Sequence, residues 1–480
     1  MTLTLADIYA GLGGQQPSHH SAAVAVKRFD IDSRLCVPGS CFVALKGENT
    51  DGHRYIGAAL AQGAVAVLAQ TVPGGVQATV VHVPHDPAPA QAEGPVLFVV
   101  EDTMAALQRL AAFWRSHHDV TVVGITGSVG KTSTKELVAS VLRQQFHTLW
   151  NEGNLNNEIG LPLTLLRIEP YHEVAVLEMG FYMEGEIATL CGLARPYAGV
   201  VTNVGPIHLE RAGSIEAIFR GKSELVQALA PDGRAILNWD DEWVRRMAGL
   251  SPAPVFRYGL TPEADLWADQ ITSKGLEGIR FRFHDRTTGD SENVLHVHLP
   301  LLGRHAVHTA LAAAAVGLVF GMTWEDIIRG LTDINAQIRI DVVPGINGST
   351  LIDDTYNASP PSTIAALNLL ADLSGRRIAV LGDMLELGSY SESGHRMVGR
   401  RAADVVDTLV TVGSLSQWIA DEAVAGGLPP ASVQHVFSPA EAIELLHRIV
   451  QPGDYVLIKG SRVVGMESIV AALIAPYPDR

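Results

Sequence analysis

Apolar residues fall along this chain in short continuous runs, set apart by turns and by stretches with helical spacing. Residues 41–45, 64–68, 79–83 and 97–100 read as strands, and 103–115 as a helix closing the block they form. Residues 84–95, rich in Pro and Ala, read as a loop. Beyond residue 118 the apolar runs alternate with helices, with strands at 120–125, 174–178, 199–202 and 234–237. Continuous apolar strands between helices imply a mostly parallel sheet covered on both faces. Residues 279–283 and 295–299 alternate instead, around a polar loop at 285–293, which predicts a hairpin. Strands recur at 350–353, 378–381, 408–412 and 455–459. The predicted fold is α/β with three domains. A small α/β domain covers 1–118, a central doubly wound, mostly parallel domain 119–335, and a C-terminal Rossmann-like domain 336–480.

A length of 480 residues suits two to four domains. The net charge of −16 argues against a general nucleic-acid binder, because no basic face is apparent to meet phosphates. The three cysteines, Cys36, Cys41 and Cys191, form no Cys-x-x-Cys pair or Cys/His cluster. That argues against a zinc site or a disulfide framework and for a reducing cytoplasm. The start, Met1-Thr-Leu-Thr-Leu-Ala-Asp7, lacks the basic region of a signal peptide. The most apolar stretch, 310–322, is shorter than the ~20 residues a membrane span needs, so it reads as a buried helix and no membrane insertion is expected.

The densest chemistry lies in Gly124-Ile-Thr-Gly-Ser-Val-Gly-Lys-Thr-Ser-Thr-Lys-Glu136, between the strand at 120–125 and a helical run at 136–142. Strand, glycine loop, Lys-Thr, helix is the layout of a nucleotide-phosphate cradle. Gly127 and Gly130 let the backbone approach phosphate oxygens, and amides at the helix start attract the anion. The segment Thr126, Gly127, Ser128, Val129, Gly130, Lys131, Thr132, Ser133 would hold ATP. Lys131 would reach the β/γ-phosphates and Thr132 would bind Mg²⁺. Ile125 stands where the longer form of this loop has its first glycine, leaving the spacing Gly-x-x-Gly-Lys-Thr.

Further candidates sit at the predicted carboxyl ends of strands, where parallel sheets present ligand groups. Glu178 ends one strand, and Asn203 and His208 lie just beyond another. A carboxylate and an imidazole near a triphosphate suit Mg²⁺. Asn154, Asn156 and Asn157 form an Asn-rich turn that suits either a structural turn or a substrate cleft. Lys222, in Arg220-Gly-Lys-Ser-Glu224, reads as a solvated charge at the start of an amphipathic helix. Three clusters end C-terminal strands: Asp353-Asp354-Thr-Tyr-Asn357, Gly382-Asp383-Met-Leu-Glu386, and Lys459-Gly-Ser461-Arg462. In the first block, Asp32-Ser33-Arg34 and the turn Asn49-Thr50-Asp51-Gly52 suit a diphosphate or sugar, or an ordinary turn. His296 and His298 read as the wet face of a strand rather than a metal pair.

These strings, in this order and across all three blocks, resemble the Mur ligases of peptidoglycan synthesis. The match rests on Asp32-Ser-Arg34, residues 124–136, Asn154-Leu-Asn-Asn-Glu158, Leu177-Glu-Met-Gly180, Thr202-Asn-Val-Gly205 with His208-Leu-Glu210, Asp353-Asp-Thr-Tyr-Asn357, residues 381–388 and Lys459-Gly-Ser-Arg462. The resemblance implies ATP-driven joining of D-alanyl-D-alanine to UDP-N-acetylmuramoyl-tripeptide by a cytoplasmic monomer. It implies catalytic roles for Lys131, Lys222, His208 and Glu178. Thr132, Glu178, His208 and a carbamylated Lys222 would serve two Mg²⁺ sites, which overturns the solvated reading of Lys222. Asn203, His305, Arg339, Asp354 and Asn357 would join the loop in binding ATP. Ser33, Arg34 and Asn49 to Gly52 would hold the UDP end. Asn154, Asn156, Asn157, Lys459 and Ser461 would line the rest of the substrate cleft, with the third block closing over ATP. Relatives show His-Asn-x-x-Asn-Ala-Leu where this chain has His305-Ala306-Val-His308-Thr-Ala-Leu311, a departure expected near the adenine. A sister ligase adding another amino acid, or acting on folate, and a nucleotide-binding regulator without catalysis stay open as alternatives.

Overall fold

The computed structural model describes residues 3–14, 24–47, 50–88, 94–207, 209–287, 293–333 and 340–475. It contains three sheets, each drawn from one stretch of chain. The first holds β1 (Arg28–Asp30), β2 (Ser40–Val43), β3 (Ala66–Ala69), β4 (Thr79–His82) and β5 (Val96–Val99), in the order β1-β2-β3-β5-β4 with every pairing parallel. Strands β2 and β3 are buried at every position, which is why they read as continuous apolar runs. The helix Thr103–Ser116 follows β5, with the Asp102 carboxylate accepting from the Met104 and Ala105 amides at its start.

The second sheet comprises β6 (Thr121–Thr126), β7 (Thr148–Trp150), β8 (Val174–Glu178), β9 (Ala198–Val201), β10 (Arg234–Asn238), β11 (Val255–Gly259), β12 (Leu266–Ser273), β13 (Ile279–Asp285) and β14 (Asn293–Leu299). Its order is β14-β13-β12-β11-β10-β9-β6-β8-β7. Strands β9 to β12 pair in parallel, and β12, β13 and β14 form an antiparallel end. Ile279, Phe281 and Phe283 of β13 are buried, while Arg280, His296 and His298 on the opposite face are exposed, as the alternation required. The apolar stretch beyond residue 305 is the helix Ala306–Val319, buried from Ala310 to Gly317. Among the described residues no helix is long and apolar enough to cross a membrane.

The third sheet holds β15 (Asp341–Pro344), β16 (Thr350–Asp353), β17 (Arg377–Gly382), β18 (Thr408–Val412), β19 (Val433–Val436) and β20 (Tyr455–Lys459), in the order β15-β16-β20-β17-β18-β19. Only β15 runs antiparallel to its neighbour among these strands. Leu351, Val380 and Ile458 pack on one face of this sheet, and Ile352, Leu381 and Leu457 on the other. By compactness the chain divides into two units: Met1–Gly124 with Phe146–Phe181 and Gly185–Tyr197, and Ile125–Gln145 with Tyr182–Glu184 and Ala198–Arg480.

Candidate active site

In the second unit, the chain leaves β6 through Gly127 at φ +149 and enters the helix Lys131–Leu142 through Gly130 at φ +83. Both conformations favour glycine. The helix begins at Lys131, five residues earlier than its apolar run, since the Ser/Thr-rich first turn hides it from periodicity. Opening amides of a helix have no acceptor within the helix, so this turn is suited to an anion.

The loop's back is tied to the segment after β9. The Ser128 amide donates to Asn203 O at 2.9 Å, and its hydroxyl donates to Gly205 O at 3.0 Å. The Val129 amide donates to Asn203 Oδ1 at 2.8 Å, and Asn203 Nδ2 returns a bond to Val129 O at 2.9 Å. The Thr202 hydroxyl donates to the same carbonyl at 2.8 Å. Asn203 therefore braces the loop. One strand further on, Asp241 accepts from the Val204 amide at 3.1 Å and caps the next helix through the Val244 amide at 2.9 Å.

Two lysines converge on the loop. Lys131 Nζ donates to Gly127 O at 2.9 Å and Ser128 O at 3.1 Å. Lys222 Nζ donates to Gly127 O at 2.8 Å. Lys222 sits in mid-helix, within Ile215–Gln227, and its side chain is fully buried. The reading of Lys222 as a solvated charge at a helix start is thereby corrected. Gly221, Lys222, Leu225 and Val226 share the buried side of that helix, so a lysine on the apolar stripe was the overlooked signal.

In the first unit, Glu178 ends β8 and is 2 % exposed. Asn156 Nδ2 donates to Glu178 Oε1 at 2.8 Å, and the Gly180 amide donates to Asn156 O at 2.7 Å. Asn151, which the sequence reading passed over, is 1 % exposed and holds both backbone groups of Glu178, at 2.9 and 3.0 Å. Asn157 Oδ1 accepts from the Gly160 amide at 2.9 Å and so starts the helix Gly160–Leu165, while Asn154 is exposed. Ser33 is buried in a short turn capped by Asp32. Arg34 is exposed and pairs with Asp32 at 2.6 Å, and its hydrogen bonds hold the Asp32 carboxyl down at about 2. Asp51 caps the turn Gly52–Tyr55 and pairs with His53 Nδ1 at 2.7 Å, next to exposed Thr50.

The C-terminal candidates meet at the carboxyl ends of β16, β17 and β20. Lys459 is 2 % exposed; its Nζ lies 2.7 Å from Asp354 Oδ2 and 2.8 Å from Asn357 O. The Ser461 hydroxyl accepts from the Leu385 amide at 2.9 Å. The Met384 amide donates to His395 Nε2 at 3.0 Å, and His395 Nδ1 lies 2.7 Å from Ser391 O. Burial pushes the His395 pKa below its ordinary value. His305 lines a cleft of about 250 Å³ with Arg304, Ala365, Asn368, Ala371, Asp372 and Arg401, which holds no residue of the loop at 126–133. His308 pairs with Asp240 at 2.7 Å. Asn49, His208 and Arg339 lie outside the described residues.

Residues 26–115 match the Mur ligase family catalytic domain, 125–317 the Mur ligase middle domain, and 338–462 the Mur ligase glutamate ligase domain. The chain belongs to the Mur ligase family. It is 36 % identical to the Escherichia coli UDP-N-acetylmuramoyl-tripeptide–D-alanyl-D-alanine ligase, over 98 % of each chain. It is 35 % identical to the Synechocystis ligase of the same name, covering 95 % of this chain and 94 % of that one. A crystal structure of MurF from Acinetobacter baumannii superposes with a TM-score of 0.83 at 30 % identity, over 98 % of each chain. MurF from Thermotoga maritima, solved with ADP, gives 0.76 at 28 % identity, covering 93 % of this chain and 97 % of that one. As in other Mur ligases, three mainly parallel sheets follow one another along this one chain.

Proposed function

We propose that this Mur ligase joins D-alanyl-D-alanine to UDP-N-acetylmuramoyl-tripeptide, converting ATP to ADP and phosphate, in the making of peptidoglycan precursors. The observation that carries the reading is full-length identity of 35–36 % to relatives bearing that activity in their names. The braced loop at 126–133 supports the ATP half. The terminal carboxylate of the tripeptide attacks the γ-phosphorus and ADP leaves, giving an acyl phosphate. The dipeptide amine then attacks the acyl carbon, loses a proton, and phosphate departs. Phosphate is a far better leaving group than hydroxide, which is why activation precedes amide formation.

Lys131 and Thr132 are proposed to meet the triphosphate, and the buried Lys222, once carbamylated, to add an anionic ligand beside it. The oxygen donors of the second unit, the Thr132 hydroxyl and the proposed carbamate on Lys222, are of the kind the hard magnesium ion takes. Such an ion keeps waters and phosphate oxygens as ligands, and would offset repulsion between the two anionic reactants. Ser33, Arg34 and the turn at 49–52 are assigned to the UDP end, and the chain is taken to work as a cytoplasmic monomer.

The test is product identity. With ATP, Mg²⁺ and UDP-N-acetylmuramoyl-tripeptide, carrying either lysine or diaminopimelate third, mass spectrometry should find the tripeptide plus two alanine residues. Addition of a single amino acid in place of the dipeptide would instead assign the chain to a sister reaction.

A further inference from the structure

The end of β20 separates into engaged and exposed groups. Lys459 is neutralised by Asp354 at 2.7 Å, and Ser461 is occupied by the Leu385 amide at 2.9 Å. Both therefore hold the C-terminal loops together. Arg462 differs. It is exposed, its guanidinium lies 5.6 Å from the centre of the Tyr356 ring, and no carboxylate pairs with it among the described residues. Arg376 and Arg400 of this domain are committed, to Asp454 at 3.0 Å and to Glu422 at 2.7 Å. Val463 follows at 86 % exposure, an apolar shoulder beside the cation.

Strands β16 and β20 are parallel neighbours, with Asp353 opposite Ile458, so Tyr356 and Arg462 emerge from adjacent carboxyl ends. That is the edge at which a parallel sheet presents ligand groups. A free dipeptide carries one full negative charge, its terminal carboxylate, and an arginine fork suits a carboxylate better than any other side chain. Two extended residues span only about 7 Å, so a clamp on the carboxylate fixes the position of the amine without touching it.

We infer that Arg462 binds the terminal carboxylate of the acceptor dipeptide, with the Tyr356 ring limiting its swing and Val463 offering apolar surface to the methyl side chains. This rests on the ligase reading above. It makes Arg462 a specificity residue: it selects an acceptor with a free carboxylate and disfavours capped or amidated ones.

The test compares D-alanyl-D-alanine with its C-terminal amide in the wild-type enzyme, in Arg462→Gln and in Arg462→Lys. Each acid-to-amide ratio is internal to one protein, so a loss of folded enzyme cancels. The wild type should prefer the acid by roughly 10- to 100-fold in kcat/KM, the scale of a charge-assisted pair. Arg462→Gln should bring that ratio close to one by raising KM for the acid, with KM for ATP and for the nucleotide-linked tripeptide unchanged. Arg462→Lys should retain part of the preference. A preference that survives Arg462→Gln, or an equal loss for acid and amide, overturns the inference. Absence of dipeptide-dependent turnover in the wild type instead overturns the ligase reading, and is visible before any variant is compared.

Discussion

Gly127→Ala is expected to disable the phosphate loop while leaving most of the molecule untouched. An added Cβ would overlap Thr202 Oγ1 and would stand 3.1 Å from Thr202 Cβ and 3.2 Å from the Asn203 amide nitrogen. Thr202 cannot turn away freely, because its hydroxyl donates to Val129 O at 2.8 Å, a bond worth about 1 kcal/mol. Overpacking costs about 1–3 kcal/mol, and a side chain at φ +149 adds strain of a similar size. Even about 2 kcal/mol corresponds to roughly 30-fold in affinity if it falls on the binding-competent loop. Gly130→Ala provides the control: φ is +83, yet nothing lies within 4 Å of its added Cβ, so only strain applies. Calorimetric titration with ATP should therefore rank wild type above Gly130→Ala and Gly130→Ala above Gly127→Ala. The double variant Gly127→Ala/Thr202→Ala should bind ATP better than Gly127→Ala alone, despite losing the Thr202 bond. Equal affinity in the two glycine variants, or no recovery in the double variant, would refute the steric argument.

Lys222→Met should keep the fold, because a straight apolar chain replaces a buried one, but should lose more than about 100-fold in phosphate release. Near-normal turnover would remove Lys222 from the chemistry. Lys459→Met removes the buried cation that pairs with Asp354 and should destabilise the C-terminal domain by about 3–5 kcal/mol in denaturant unfolding; adding Asp354→Asn should restore much of this. His395 is held neutral, accepting from the Met384 amide, and its pKa is lowered by burial. The unfolded chain therefore binds a proton that the folded chain does not. Stability from this group is complete above the ordinary histidine value of about 6.5, and is lost as pH falls below it, by up to about 1.4 kcal/mol per pH unit. Between pH 5 and 7, His395→Gln should show a shallower change of unfolding midpoint with pH; an unchanged slope would exclude this linkage.

Most strands legible in the sequence are buried along nearly their whole length; β4 is legible although mostly exposed, and β13 and β14 are legible by their alternation. Residues 174–178, 350–353, 408–412 and 455–459 coincide with β8, β16, β18 and β20. The strands that escaped notice include β1, β7, β15 and β19, all at sheet edges. Strand β15 is largely exposed and β19 mostly half-buried, so neither carries a continuous apolar run. Strand β12 is partly exposed along its second half for the same reason. The candidate site was legible where chemistry is local. The loop at 126–133 announces itself through glycine spacing, and Glu178 through its place after four apolar residues. Lys222 was misread from its neighbours because the Gly127 carbonyl it bonds is 95 positions away in the chain. Asn151 and His395 act through backbone groups of distant segments, 27 and 11 residues away, and no spacing rule announces such a bond.

The most direct test of the central claim is phosphate release from ATP with UDP-N-acetylmuramoyl-tripeptide, measured with and without D-alanyl-D-alanine and with Lys131→Ala as the control. The ligase account expects release that depends on both substrates, matches amide formed one for one, and disappears in Lys131→Ala. Release that ignores the dipeptide, or persists in Lys131→Ala, would contradict it.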